Sequence, residues 1–136
     1  MSSPYLDDTG KLVLRLTVGI LVLLHGISKL MNGIGPIEGM LAARGMPAFF
    51  AWGAYIGEVL APLLVIIGIY TRAAAAIIAF NMIVAIALAH TAQLFQLSQT
   101  GGWALELQGM FLFGAIAVVL LGAGRYSVAG KTGVMN

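Results

Sequence analysis

The sequence predicts an all-α fold, an integral membrane antiparallel four-helix bundle, and three observations predict it. First, 60% of the 136 residues are hydrophobic and 9% are charged, and the mean hydropathy is +1.00. A soluble domain of this size exposes more surface than seven Lys/Arg and five Asp/Glu can dress. Second, four stretches stay apolar for about 20 residues, the length that crosses about 30 Å of hydrocarbon. Third, these stretches lack the period-2 alternation of membrane barrel strands. Their backbone groups must therefore be satisfied within helices. A single transmembrane domain over residues 1–136 is expected.

The elements follow in order. The first span is expected over Leu12–Met31. The segment before it carries Asp7 and Asp8, and the stretch itself contains Arg15, so it reads as a retained span and not as a cleaved signal peptide. Gly33, Gly35, Pro36, Gly39, Gly45 and Pro47 mark a loop. The second span is expected over Ala48–Tyr70, with Pro62 bending it just after Glu58. A Thr71–Arg72 turn leads to the third span, Ala73–Leu97, and the polar turn Ser98–Gly102 leads to the fourth, Trp103–Ala123. Such short turns force antiparallel neighbours. Gly19 and Gly26 share one face of the first span, and Gly53, Gly57 and Ala61 repeat along the second. Small residues at these spacings let helix backbones approach closely.

The charges orient the chain. With the N-terminus inside, Lys11, Arg15, Arg72, Arg125 and Lys131 lie on the cytoplasmic side, and Lys29 and Arg44 lie on the other. Five against two places both termini in the cytoplasm. So few cations exclude a nucleic-acid partner; the lipid bilayer is the partner the composition demands. The absence of cysteine excludes disulfides, thiolate metal sites and iron–sulfur ligation by this chain.

Ionisable residues inside spans are costly and mark candidate sites. At about 1.5 Å per residue, Arg15 lies about 5 Å from the inner end of its span, within snorkelling reach, and Lys29 snorkels outward in the same way. Glu58 lies about 15 Å from either end, His25 about 9 Å and His90 about 10 Å from the outer end, and Glu106 about 5 Å inside it. His25, Glu58, His90 and Glu106 thus converge from four helices as a candidate ligand pocket. Arg15, Lys29 and Arg125 are read as structural anchors. His90 and Gln93 begin a polar strip on the third span. Asn81, nine residues before His90, points the opposite way and is left out of the pocket. Glu106 and Gln108 stand about 200° apart, so only one can face the interior, and the carboxylate is chosen because it costs more against lipid. Interhelical hydrogen bonds and ion pairs are the structural alternative for all of these groups. Glu58 is expected to bond His25 or His90.

The stretches Leu14-Arg15-Leu16, Gly19 and His25-Gly26-Ile27-Ser28-Lys29-Leu30 resemble the opening motif of the DoxX family. Gly57-Glu58, the Gly68 to Thr71-Arg72 ending, and Gly122-Ala123-Gly124-Arg125-Tyr126-Ser127 resemble it too, so the likeness covers Leu12 to Val128. The resemblance implies a small four-helix protein of the bacterial inner (cytoplasmic) membrane. Family members are similar to the membrane subunit of thiosulfate:quinone oxidoreductase, or look like partners of periplasmic or membrane-associated redox enzymes. Arg15, His25, Lys29 and Glu58 match the family pattern by position; His90 and Glu106 come from depth alone.

Two classes of function remain open. One is a small subunit or docking module for a redox enzyme, with loop 32–47 facing its partner. The other is a quinone-binding oxidoreductase subunit, with His25 and Glu58 serving the two carbonyl oxygens and their protons. His25 and His90 at similar depth also suit a b-type haem, and with Glu58 a metal ion. A solute channel would require a homo-oligomer, because four helices are thin for a pathway.

Overall fold

The computed structural model describes residues 3–136. Among the described residues there are five helices and, outside them, one isolated bridge between Leu97 and Trp103. Helix α1 spans Pro4–Asn32. It begins well before Leu12 because Ser3 caps it, its Oγ accepting from the Tyr5 N–H at 3.3 Å, and Pro4 sits where a missing N–H costs nothing. The Lys11–Asp7 pair at 2.8 Å then supports the added turns. Helix α2, Gly35–Ala43, forms inside the expected loop. Pro36 opens it, and burial of Leu41 with Ile34 and Ala51 holds it against the segment that begins at Ala48.

Helix α3 spans Ala48–Ile67. Its first turn is 3₁₀ over Ala48–Trp52, and Ile56–Leu60 form a π turn, in which the Ala61 N–H bonds the Ile56 carbonyl. It stops short of Tyr70 because Gly68 enters the left-handed region at φ 85°. The N–H groups of Gly68 and Ile69 both close on Leu64 O, at 2.8 and 3.1 Å. Helix α4 spans Thr71–Gln93 and contains a second π turn, Ile86–His90. It ends before Leu97 because residues 94–105 satisfy themselves as a loop. The Ser98 N–H bonds Gly102 O at 2.6 Å, and the Trp103 indole N–H bonds Leu94 O at 2.8 Å.

Helix α5, Glu106–Leu121, has 16 residues, about 24 Å of helix. The helix is shorter than the expected span Trp103–Ala123, by three residues at its start and two at its end. Three helices (α1, α3 and α4) are long and apolar enough to cross a membrane, and α5 is a shorter apolar helix.

Helix α1 packs on α3 and α5, and α4 packs on the same two. The core is made of Val18, Val22, Val65, Ile78 and Val118 interleaved with Ala61, Ala74, Ala75 and Ala115. Leu24, Leu30, Phe80, Ile83, Phe113 and Leu120 point outward and exposed, as lipid contact requires. The tightest seam joins α1 to α3. A Cβ at Gly19 would stand 2.7 Å from Ile66 Cγ1, and one at Gly26 would fall onto the Glu58 carbonyl.

Gly26→Ala is therefore expected to destabilise the detergent-solubilised protein by about 1–3 kcal/mol through overpacking against backbone. Gly10→Ala, where a Cβ meets nothing within 4 Å, is expected to leave the thermal midpoint unchanged or raised. Equal midpoints for the two variants would show that the seam is looser than described.

Candidate functional site

A cavity of about 640 Å³ opens among α1, α2, α3, α4 and α5. Its walls are mostly apolar, with Met40, Phe50, Ile56, Leu88 and Phe111 among them. Six polar side chains from four helices interrupt that lining: His25 and Lys29 on α1, Glu58 on α3, Asn81 and His90 on α4, and Gln108 on α5.

Glu58 is buried, and its Oε1 accepts from Lys29 Nζ at 2.6 Å. This corrects two expectations. Glu58 bonds neither histidine, and Lys29 does not snorkel away. The reason is the glycine seam: with no side chain at Gly26, α1 lies against the Glu58 carbonyl, and Lys29, one turn further on, stands over the carboxylate. The Lys29 side chain keeps 28% exposure against 8% for Glu58. The Tyr55 hydroxyl donates to the Lys29 carbonyl at 3.3 Å and steadies the end of α1.

His25 is exposed at the cavity, its ring edge-on to Phe111 with centroids 5.5 Å apart. His90 lies in the same cavity, with Nδ1 2.8 Å from Gln93 Oε1. Glu106 does not line the cavity, and Gln108 does. Because α5 begins at Glu106, that carboxylate occupies the exposed first turn and folds over Gly102, where the helix dipole favours it. Asn81, placed by sequence phase on the far side of α4, lines the cavity beside Gly57. The π turn explains the change. Nine α-helical residues separate Asn81 from His90 by about 180°, but one extra residue taken up in a wider turn brings them within about 80°. Among the described residues no three His, Cys, Asp or Glu side chains assemble a metal site. Glu58, which depth allows as a metal ligand beside His25 and His90, is turned onto Lys29 instead.

The opposite end holds a different kind of polar cluster. Arg15 is 2% exposed, so it does not snorkel. Its Nη1 donates to Ala123 O at 2.6 Å and its Nη2 to Tyr126 O at 2.7 Å and Ile66 O at 3.5 Å. These carbonyls lie at and just beyond the ends of α3 and α5, where helices leave acceptors free. Arg72 does the same for Val119 O and Leu120 O. Asp8, fully buried and not singled out by sequence, binds Arg125 Nε at 3.0 Å and Lys131 Nζ at 3.1 Å. Lys11, Arg15, Arg72, Arg125 and Lys131 thus share one end of the molecule.

The DoxX family profile matches residues 10–91, more than half of the chain. The chain belongs to the DoxX family. The DoxX match includes Arg15, His25, Lys29, Glu58, Asn81 and His90, and leaves Gln108 outside. The chain is also similar to a Bacillus subtilis (strain 168) protein named "Putative oxidoreductase CatD", with 33% identity over 79 residues. That alignment covers 58% of this chain and 58% of the relative, so the chain spans under two thirds of the relative's length. No solved structure matches the chain.

Lys29→Gln leaves Glu58 buried without its counter-charge. It is expected to cost about 2 kcal/mol, less than the about 3–5 kcal/mol of a wholly buried pair because Lys29 is partly exposed. Adding Glu58→Gln should recover most of that loss in a double-mutant cycle of thermal unfolding. Additive losses would mean that the two groups act independently.

Proposed function

We propose that this DoxX protein is a four-span bacterial inner-membrane protein, folded as one domain, that serves as the small membrane subunit of a redox enzyme and holds a quinone-class molecule in its cavity. The observation that carries this reading is the cavity itself, large, apolar-walled and furnished with a few convergent polar groups, as sites for amphiphilic ring molecules are. His25, which lines it, presents ring nitrogens that can donate to or accept from a ligand oxygen. Lys29, steered by Glu58, offers an N–H donor to a ligand oxygen. Reducing a quinone to its quinol adds two electrons and two protons. With no cysteine in the chain, the electrons come from a partner redox protein. The family relative named as an oxidoreductase supports the same direction.

Both termini are assigned to the cytoplasm, since the end bearing five of the seven Lys/Arg is the one that positive-inside sorting retains. Helix α5 completes the fourth crossing together with its apolar flanks, Trp103–Leu105 and Gly122–Ala123. A reporter fused after Asn136 is expected to be active only if it works on the cytoplasmic side. Activity of a periplasm-only reporter there would reverse the assignment.

Ligand binding is tested on the purified protein in detergent. Titration with a short-chain alkyl benzoquinone is expected to show saturable binding, one molecule per chain. Absence of saturation would remove the quinone reading and leave a docking module.

A further inference from the structure

Asn81 has no role in the reading above, yet it is the cavity's most unusual polar group. Its Nδ2 is buried and meets no acceptor. Buried amides are nearly always paired, and an orphaned one calls for a reason. The surroundings hold the side chain in place. A Cβ at Gly57 would stand 2.6 Å from both Cβ and Cγ of Asn81 and 2.9 Å from its Oδ1, so the glycine next to Glu58 is what lets the amide lie there. The π turn that carries Glu58 lies on the neighbouring helix, and the π turn that ends at His90 follows Asn81 on its own helix. Such turns recur at functional sites. Rotation about the Cβ–Cγ bond exchanges the two ends of the amide and turns the NH₂ toward the cavity that Asn81 lines.

We propose that Asn81 is the specificity-determining contact of the cavity, donating its amide N–H to a carbonyl oxygen of the ligand. The inference rests on the reading that the cavity holds a carbonyl-bearing ring. It adds a neutral donor to the cationic one at Lys29. A ligand with acceptor oxygens on its ring then satisfies both, and a hydrocarbon of the same shape satisfies neither.

The test compares the wild-type protein with Asn81→Leu and Asn81→Ala, each titrated with a short-chain alkyl benzoquinone and with the alkylbenzene of matching tail. Because no protein group pairs with Nδ2, Asn81→Leu should fold and be at least as thermally stable as the wild type without ligand. Its affinity for the benzoquinone should fall about tenfold, with its affinity for the alkylbenzene unchanged. Asn81→Ala should lose the same preference. Wild-type binding with an undiminished preference in both variants would overturn the role of Asn81 and leave the quinone reading standing. Absence of benzoquinone binding by the wild type would overturn both. Failure of both variants to fold would show that the amide serves the protein's own packing, and would also overturn the proposal.

Discussion

The approach of α1 to α3 at Gly26 governs what the rest of the site can be. A helix backbone placed against a carbonyl leaves no room for a side chain, and in return it sets the register of two helices to within a fraction of a turn. That register delivers Lys29 to Glu58 at 2.6 Å. In a medium without water, a carboxylate near the middle of a helix needs a partner on a neighbouring one. Here the glycine makes that partner reachable. The π turn at Ile56–Leu60 belongs to the same arrangement. Pro62 cannot donate to the carbonyl four residues back, so the Glu58 carbonyl is free of the usual helical bond, and it is this carbonyl that faces Gly26.

The other end solves the opposite problem, how to stop helices inside a small apolar protein. Each helix end exposes carbonyls that lipid cannot satisfy. Arg15 and Arg72 reach those of α3, α5 and the segment after α5 with rigid, multi-donor guanidinium groups, which a lysine could not match in geometry. Asp8 then ties the chain beyond α5 back to the start of α1 through Arg125 and Lys131. Four of the five cations gathered at this end, Arg15, Arg72, Arg125 and Lys131, close the fold by their hydrogen bonds and ion pairs. This is why Arg15 is inside the protein and not spread into the interface.

Much of this was legible in the residues. Hydropathy marked the apolar helices, the small-residue faces marked the α1–α3 seam, and the midplane position of Glu58 marked it as a group that must face inward. What escapes sequence reading has several causes, and departure from ideal α-helix geometry is the first. A uniform 100° step turns Asn81 away from His90, and no composition signal announces the π turn that brings it back. Sequence reading favours Glu106 over Gln108 because a carboxylate costs more against lipid; with the helix starting at Glu106, the carboxylate belongs to an exposed first turn and avoids that cost. Helix α2 was hidden by glycines and prolines that read as loop, although Pro36 stands where a helix start tolerates it. The length of Lys29 allows snorkelling to the interface, and length says nothing about a carboxylate waiting on the next helix.

An unpaired buried group is not by itself a sign of function, and the two ends of the molecule show why. Arg15 Nε, like Asn81 Nδ2, is buried without a partner. Around Arg15, however, both terminal nitrogens are fastened to backbone carbonyls, and the side chain cannot turn without breaking them. The leftover N–H is the residue of a structural bargain in which the other donors win. The Asn81 side chain is held by packing against Gly57 and not by its amide nitrogen: Nδ2 meets no acceptor, and the residue lines an open cavity. The cost of leaving it unpaired is offset by nothing within the chain. An amide that no protein group pairs and that borders a cavity has the properties expected of a ligand contact, because a molecule entering the cavity can pair the end turned toward it.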